Sequence, residues 1–328
     1  MLPQFIDAHV HLNTTSPEKM EMALKHNVSF LSINTNIPFF ESIEKQESVI
    51  LELQKKYPDR VQYITSFDFR DWGKPNFAAS AIEQIKRGLA NGAVGVKIWK
   101  DVGFELHDED GKFVMIDDPI FDPVFEYLQE NDILLIGHQG EPRNCWLPLD
   151  EMTVDSDRNY FAGHPEYHMF LQTNYPSYEA QMDARDNMLK KVPKLRYVGL
   201  HLFSMEWSIA EVARRLEQFP NSLTDLAERI CHLQLQAQSD WEGVREFCIR
   251  YQDRIMYGTD VIDDGSVPAE EIAERFENLW QFHYDYFATD KELEAPEFGG
   301  SFKGLDLPKE IIKKIFLTNA RKTYQFKG

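Results

Sequence analysis

The sequence lacks the features that mark membrane proteins, disulfide-rich secreted proteins and nucleic-acid-binding proteins. Its 328 residues contain no run of eighteen apolar residues, so no transmembrane helix is expected. There are only 3 cysteines and no CxxC pair, which indicates neither a disulfide framework nor a thiolate zinc site. Basic residues are also few, 35 against 54 acidic ones. The net charge of −19 disfavours binding to nucleic acid or to an anionic membrane.

The N-terminus has no basic region followed by an apolar run and enters a strand at once. This argues against a secretory signal, although a removed leader stays open, and a cytoplasmic location is the expectation. An apolar content of 43% with 27% charged residues is typical of an ordinary globular protein. The length allows one large α/β domain or two small ones.

Strand-like and helix-like segments alternate almost from end to end. The predicted strands are 5–12, 28–37, 61–69, 93–101, 133–141, 195–204, 222–228 and 254–261. Each is followed by a helical pattern, and helices are expected to complete the chain. Eight such units predict an α/β fold of the (β/α)8 TIM-barrel type, as a single domain over residues 1–328. The main alternative is an open doubly wound sheet, but no Gly-rich phosphate loop follows the first strand.

One connection is too long for an ordinary loop. Residues 142–175 form an insertion after the fifth strand, and such segments are often functional or carry local structure. We expect this insertion to lie as a lid over the C-terminal mouth of the barrel. It is expected to supply side chains to a pocket there, from Arg143 or from the "GHPEYH" stretch.

The first strand, "FIDAHVHL", places a carboxylate and two imidazoles at alternating positions. Because side chains alternate faces along a strand, Asp7, His9 and His11 are expected to share one side. Two histidines at this spacing can converge on one metal ion. The alternative is a pair of hydrogen-bonded core histidines.

Further ionisable residues stand singly, late in strands that otherwise read as apolar. They are Lys97, His138, His201 and Asp260. Active sites of TIM barrels form at the C-terminal ends of the strands, so these residues are expected to converge with the first-strand histidines. Separate structural explanations exist for single members: a lysine can extend along the surface, and an aspartate can cap a helix.

The ordered motifs "DAHVHL", "GVKIW", "GHQGE", "GLHLFS", "MYGTD" and "LPKEIIKKIFLTNARKTY" span nearly the whole chain. In this order they resemble the amidohydrolase superfamily of metal-dependent barrel enzymes. The resemblance is to the amidohydrolase 2 branch, which includes aminocarboxymuconate semialdehyde decarboxylase and related hydrolases. It implies that His9, His11, His138 and Asp260 hold a divalent metal. It also implies that His201 lies beside the metal as a ligand or a proton-transfer residue.

Neutral imidazoles and a carboxylate suit Zn²⁺, Mn²⁺ or Fe²⁺, with Zn²⁺ favoured and one ion favoured over two. In some relatives a fourth-strand lysine is carbamylated and bridges two metals; otherwise Lys97 would hold a substrate carboxylate. Arg143 is the best candidate for binding an anionic substrate group, because its guanidinium fits a carboxylate. Glu141 could contact the site, and Asp225 could point inward from the seventh strand.

These residues favour a metal-dependent hydrolase that adds metal-activated water to an ester, lactone, amide or related carbonyl. Asp260 would ligate the metal and accept the proton of that water, and His201 would be the second catalytic residue. The expected partner is a small substrate bearing a carboxylate. The alternative is a metal-dependent decarboxylase of the same branch, and a third reading is a barrel that binds metal without turnover. The sequence leaves a homo-oligomer open.

Overall fold

The computed structural model describes residues 2–172 and 174–327, and its centre is a parallel β-sheet. The sheet strands are β1 (Phe5–Leu12), β2 (Val28–Ile33), β3 (Val61–Ser66), β4 (Val96–Ile98), β5 (Leu135–Gly137), β6 (Tyr197–Gly199), β7 (Ser222–Asp225), β8 (Ile255–Met256) and β9 (Val261–Asp263). Their order in space is β8-β7-β6-β5-β4-β3-β2-β1-β9. Neighbouring strands along this order run parallel.

The sheet closes on itself, because β8 and β9 are two halves of one interrupted strand. Between these halves, the Ala8 amide donates to the Tyr257 carbonyl at 3.0 Å, and the Asp260 amide donates to the His9 carbonyl at 2.8 Å. The interrupted strand therefore pairs with β7 on one side and with β1 on the other. The predicted (β/α)8 barrel is confirmed.

Helices follow the strands in the order expected for a barrel. The α-helices are Glu18–Lys25, Ile43–Lys56, Phe77–Ala90, Asp122–Glu130, Asp155–Gly163, Tyr178–Lys191, Ile209–Gln218, Ile230–Ser239, Trp241–Arg250, Ala269–Ala288, Lys309–Lys313 and Asn319–Thr323, with a π-helical turn at Lys314–Thr318. Serine hydroxyls or aspartate side chains cap several N-termini; the Ser177 hydroxyl, for example, accepts from the Ala180 amide at 3.1 Å. Among the described residues, no helix is both long and apolar enough to cross a membrane.

Two apolar layers hold the barrel together. The interior layer joins strand residues such as Ile6, Ala8 and Ile136 to Tyr324 and Phe326 from the end of the described chain. The outer layer packs the other strand faces against the helices. The interior layer fills the barrel at the N-terminal ends of its strands, so polar groups are left for the C-terminal mouth.

Strand β1 contains a β-bulge that changes which side chains share a face. The pairing register with β2 shifts between Asp7 and Val10. As a result Asp7 faces the outer layer, where it accepts from the Trp280 indole at 2.9 Å and the Thr259 hydroxyl at 2.8 Å. The expectation that Asp7 shares a side with the two histidines is wrong, because the bulge reverses the alternation between them.

Apart from the first strand, which has the predicted bounds 5–12, the predicted strands are longer than the observed ones. The C-terminal part of the chain, expected to be helical, also contains a hairpin. An antiparallel hairpin, β10 (Glu292–Glu294) and β11 (Ser301–Lys303), follows the long helix Ala269–Ala288. In its turn, the Glu297 carbonyl accepts from the Asp155 amide at 2.7 Å, and the Glu297 carboxylate accepts from the Ser156 amide at 2.8 Å. The hairpin therefore anchors the start of the helix Asp155–Gly163 within the insertion 142–175, of which residue 173 lies outside the described residues.

Candidate metal centre

The bulge in β1 turns His9 and His11 into the barrel mouth, and hydrogen bonds define the tautomer of each ring. His9 Nδ1 is 2.5 Å from Asp225 Oδ2, and His11 Nδ1 is 2.7 Å from the Ile33 carbonyl oxygen. Both partners only accept, so each Nδ1 carries a proton, and each Nε2 is the atom that presents a lone pair when the ring is neutral. The two Nε2 atoms lie 3.2 Å and 3.3 Å from the same oxygen, Oδ1 of Asp260.

His201 reaches the same place by a different route. It follows β6 at the start of a left-handed turn, in which His201, Leu202, Phe203 and Ser204 have φ of 55°, 57°, 60° and 53°. The Cβ-free Gly199 lets the Phe203 ring fold back, since an added Cβ would lie 2.3 Å from that ring. His201 Nδ1 faces the Ala227 carbonyl at 3.0 Å, and its Nε2 is 3.9 Å from Asp260 Oδ2.

His138 completes the group from the loop after β5. Its ring centroid is 4.3 Å from that of His201, and its Nε2 is 3.7 Å from Glu141 Oε2. Three buried atoms of this cluster make no hydrogen bond within the described part of the chain: His9 Nε2, His138 Nε2 and Asp260 Oδ1. Buried polar atoms are almost always hydrogen-bonded, so these exceptions require another partner.

The electrostatics of the cluster favour a positive charge at its centre. Burial alone would lower the pKa of His9, but the carboxylates of Asp260 and Asp225 outweigh it and raise that pKa to about 9. Burial would raise the pKa of Asp260, yet His9 and His11 hold it well below its usual range. Burial lowers the pKa of His138 and of His201 well below the ordinary value, so both imidazoles are neutral.

A divalent metal fits these residues. The ligand atoms of His9, His11 and Asp260 lie within 4.8 Å of one another, as do those of His201, Glu228 and Asp260. The donor set consists of imidazole nitrogens with fixed tautomers and a carboxylate oxygen, which suits Zn²⁺, Mn²⁺ or Fe²⁺. A cation would also give the unpaired buried atoms their missing partner.

Two lysines of the "KIWK" stretch lie beside the cluster. Lys97, from β4, is buried, and this burial lowers its pKa to about 8 against the raising effect of Asp260 and Asp225. Lys100 forms a tight buried ion pair with Glu141. Glu141, predicted to contact the site, therefore stands between this lysine and His138. Lys100 was not anticipated from the sequence, although it lies within the predicted strand 93–101, three residues after Lys97.

The cluster forms the floor of a cavity of about 160 Å³. Aromatic rings line its walls, three of them from the insertion: Phe39, Trp99, Tyr160, Phe161 and Tyr167. The Lys100 ammonium lies 5.4 Å from the Tyr167 ring centroid and 5.9 Å from that of Tyr160. Both distances are within the range of cation–π attraction.

The guanidinium group in this cavity belongs to Arg229, not to Arg143. Arg143 is not among the residues that line the cavity and lies 4.3 Å from the Trp207 ring centroid. Of the two sources expected within the insertion, the "GHPEYH" stretch is the one that lines the cavity, through Tyr167. Arg229 lines the cavity, is buried, pairs with Glu228 at 3.2 Å, and leaves its Nε without a hydrogen bond. Its position four residues after Asp225, beyond a strand end, was the available signal.

Comparison with solved structures places the fold among known barrels. An uncharacterised TIM-barrel protein from Bordetella bronchiseptica has a TM-score of 0.56 at 13% identity, covering 98% of each chain. The 2,6-dihydroxybenzoate decarboxylase from Rhizobium has a TM-score of 0.55 at 15% identity, covering 100% of each chain. A dihydroxybenzoic acid decarboxylase from Polaromonas, solved with manganese and 2-nitroresorcinol, has a TM-score of 0.55 at 14% identity, covering 99% of this chain and 97% of that one. At these identities the likeness concerns the fold alone.

Comparison with curated protein sequences gives no match. The family model described as amidohydrolase (Amidohydro_2) matches residues 46–326, most of the chain. That match agrees with the resemblance seen in the ordered motifs. The chain therefore belongs to the Amidohydro_2 family of amidohydrolases.

Proposed function

We propose that the protein is a metal-dependent decarboxylase of a small hydroxylated aromatic acid. The observation that carries this proposal is the composition of one cavity. Its floor is the imidazole and carboxylate cluster, its walls are aromatic, and three cationic side chains line it: Lys97, Arg229 and Lys100, the last paired with Glu141. Structural neighbours that are decarboxylases of dihydroxybenzoate and of carboxyvanillate support the same reaction class.

The residues present would bind such a substrate by its charge and its ring. Lys97 and Arg229 are buried, and Arg229 Nε makes no hydrogen bond, so either cation can donate a hydrogen bond to a carboxylate or phenolate oxygen. The Trp99 and Tyr167 rings offer apolar faces for a planar substrate. A cavity of about 160 Å³ suits a single small ring.

We propose one bound ion, held by His9, His11, His138 and Asp260. When bound, the ion would stabilise negative charge on substrate oxygens beside the breaking bond. Glu228, which a second ion would need, has 55% of its side chain exposed and pairs with Arg229. Zn²⁺ was the favoured ion from the sequence, and two decarboxylase neighbours were solved with manganese. Mn²⁺ and Zn²⁺ are therefore the two ions to compare.

Decarboxylation replaces a carboxyl group by hydrogen, so a proton must reach the ring carbon. The bond to the carboxyl carbon breaks, CO₂ leaves, and the electron pair stays with the ring, which ends with one new C–H bond. Asp260 and His201 are the acid–base groups at the cavity floor, with Asp260 Oδ2 3.9 Å from His201 Nε2. They would hold the proton and deliver it to that carbon.

The test is a decarboxylation assay in D₂O with the protein reconstituted with Mn²⁺ or Zn²⁺. With 2,6-dihydroxybenzoate or 5-carboxyvanillate, we expect CO₂ release and one deuterium at the vacated carbon of the product. Asp260→Asn keeps the shape of the side chain but cannot take up a proton, and should lose at least about a hundredfold in turnover. Absence of turnover on a panel of hydroxylated aromatic acids would contradict the proposal.

Hydrolysis is the second candidate, favoured by one distance. The 3.9 Å between His201 and Asp260 is too long for a direct hydrogen bond and leaves room for a bridging water. Such a water would be placed to attack an ester, lactone or amide carbonyl. The same reconstituted protein should be screened with these substrates; hydrolysis without decarboxylation would replace the first candidate by the second.

A further inference from the structure

The left-handed turn that carries His201 is held from outside by three side chains. Tyr178 donates its hydroxyl hydrogen to the Ser204 carbonyl at 2.6 Å, and Arg185 donates through Nη1 to the Phe203 carbonyl. Asp225 Oδ1 accepts from the His201 amide at 2.6 Å. Left-handed backbone is unfavourable for non-glycine residues and persists only where its surroundings impose it.

Arg185 is the most constrained of these side chains. It is 1% exposed, and its Nε and Nη2 lie 3.1 Å and 2.8 Å from Asp186 Oδ1. Its guanidinium carbon lies 5.3 Å from the Phe203 ring centroid. The Nε and Nη2 edge of the guanidinium is thus paired with Asp186 on the helix Tyr178–Lys191, while Nη1 donates to the Phe203 carbonyl of the turn. The turn is thereby tied to this helix.

Asp225 links the turn to the metal centre. Its Oδ1 accepts from the His201 amide, and its Oδ2 lies 2.5 Å from His9 Nδ1. A displacement of the turn would therefore move His201 directly and would also pull on the carboxylate that orients His9. Mutation of partners that orient metal ligands in this way typically costs about 10–100-fold in metal affinity or activity.

We propose that Arg185 is a positioning residue for the metal centre. By holding the Phe203 carbonyl, it keeps the turn in place and so keeps His201 and, through Asp225, His9 directed at the metal position. This inference rests on the metal centre of the proposed function, but not on the reaction that the centre performs.

The test compares Arg185→Met with Arg215→Met. Arg215 is also buried and binds the other oxygen of Asp186, with its Nε 2.9 Å from Oδ2. Among the described residues it has no contact with the turn, so Arg215→Met disturbs the same carboxylate without releasing the Phe203 carbonyl. Titration of metal-free protein with Mn²⁺ should show affinity weakened about 10–100-fold in Arg185→Met and changed less than about threefold in Arg215→Met.

A second readout is independent of metal. Long-range ¹H–¹⁵N spectra of the metal-free protein, assigned by comparison with His201→Gln, should show His201 protonated at Nδ1 in the wild type. Arg185→Met should show a mixture of tautomers, and Arg215→Met should match the wild type. Arg185→Lys should fold if Arg185→Met does not. It should behave like Arg185→Met, because one ammonium group cannot bind the Asp186 carboxylate and the Phe203 carbonyl at the same time.

Two results would overturn the inference: equal effects of the Arg185 and Arg215 variants on Mn²⁺ affinity, or an unchanged His201 spectrum in both Arg185 variants. A wild-type protein that binds no Mn²⁺ would count against the proposed function instead. In that case the histidine spectra alone still decide whether Arg185 positions His201.

Discussion

The ends of β1 and β6 bring histidines to the Asp260 carboxylate through different backbone conformations. At β1, His9 and His11 remain in a paired strand, and a bulge supplies the change of direction. At β6, the strand has ended, and His201 sits on four consecutive left-handed residues. The bulged strand keeps its hydrogen bonds to both neighbours, whereas the turn depends on side chains from other elements.

The difference shows which histidines of the metal centre depend on contacts from other elements for their position. A bulge is a local adjustment with little cost, and among the described residues none of 5–12 has a positive φ. A left-handed conformation costs about 1–2 kcal/mol for each non-glycine residue of the turn. The β1 ligands are therefore determined by their own strand, and the β6 histidine is determined by distant contacts.

The largest expected effect distinguishes His9, as a metal ligand, from His201, as a catalytic residue. His9→Asn should reduce the bound metal to well below one ion per chain, because His9 Nε2 is an unpaired buried donor at the centre. His201→Asn should retain metal and lose at least about a hundredfold in turnover, the scale of a lost acid–base group. Metal content by elemental analysis, with turnover on an identified substrate, checks both. Near-normal turnover of His201→Asn would contradict the assigned role.

Asp225→Asn tests the link between the two strand ends. The amide oxygen can still accept from the His201 amide, but the amide nitrogen then faces His9 Nδ1. His9 must move its proton to Nε2, where it blocks the lone pair aimed at the centre. Mn²⁺ affinity should fall about 10–100-fold by titration. His11, whose Nδ1 faces the Ile33 carbonyl, should keep its tautomer and serves as the internal control.

The pH dependence of metal affinity should reflect the titration of His9 on β1 and not that of His201. The pKa of His9 is raised to about 9 in the metal-free protein, whereas that of His201 is well below 6.5. Below pH 9 a metal must displace the His9 proton, so affinity should rise about tenfold per pH unit up to that value. Calorimetry in buffers of different ionisation enthalpy should show about one proton released at pH 7. A flat affinity between pH 6 and pH 8 would contradict this.

The smallest expected effect concerns the backbone strain of the left-handed turn that carries His201. Ser204→Ala and Ser204→Gly both lose the 3.3 Å hydrogen bond to the Gly140 carbonyl, but only glycine relieves the left-handed backbone. The glycine variant should be more stable than the alanine variant by about 1 kcal/mol in denaturant unfolding. At Ser48, in the helix Ile43–Lys56, the order should reverse by a similar amount. The same order at both positions would contradict the strain argument.

Periodicity and motif order were sufficient to predict the barrel and the family, because both depend on patterns repeated along the chain. Prediction failed where the backbone departs from regularity. Asp7 lies on the opposite face from that expected because a bulge leaves no mark in the alternation of "FIDAHVHL". The left-handed turn in "GLHLFS" contains no glycine to signal it after Gly199. Arg229 was not anticipated, because a loop sequence does not show which guanidinium lines a cavity and which packs elsewhere, as Arg143 does on Trp207.

The closure of the barrel also sets an order of events for folding. Asp7 and Thr259 are in contact although they lie 252 positions apart, and Asp260 follows directly after Thr259. Long-range pairings of this kind form late, since the intervening chain must first be ordered. The seam that closes the barrel is the one that brings His9 and His11 to Asp260. A metal ion bound there would stabilise the seam itself, so the free energy of unfolding should rise with the ion concentration.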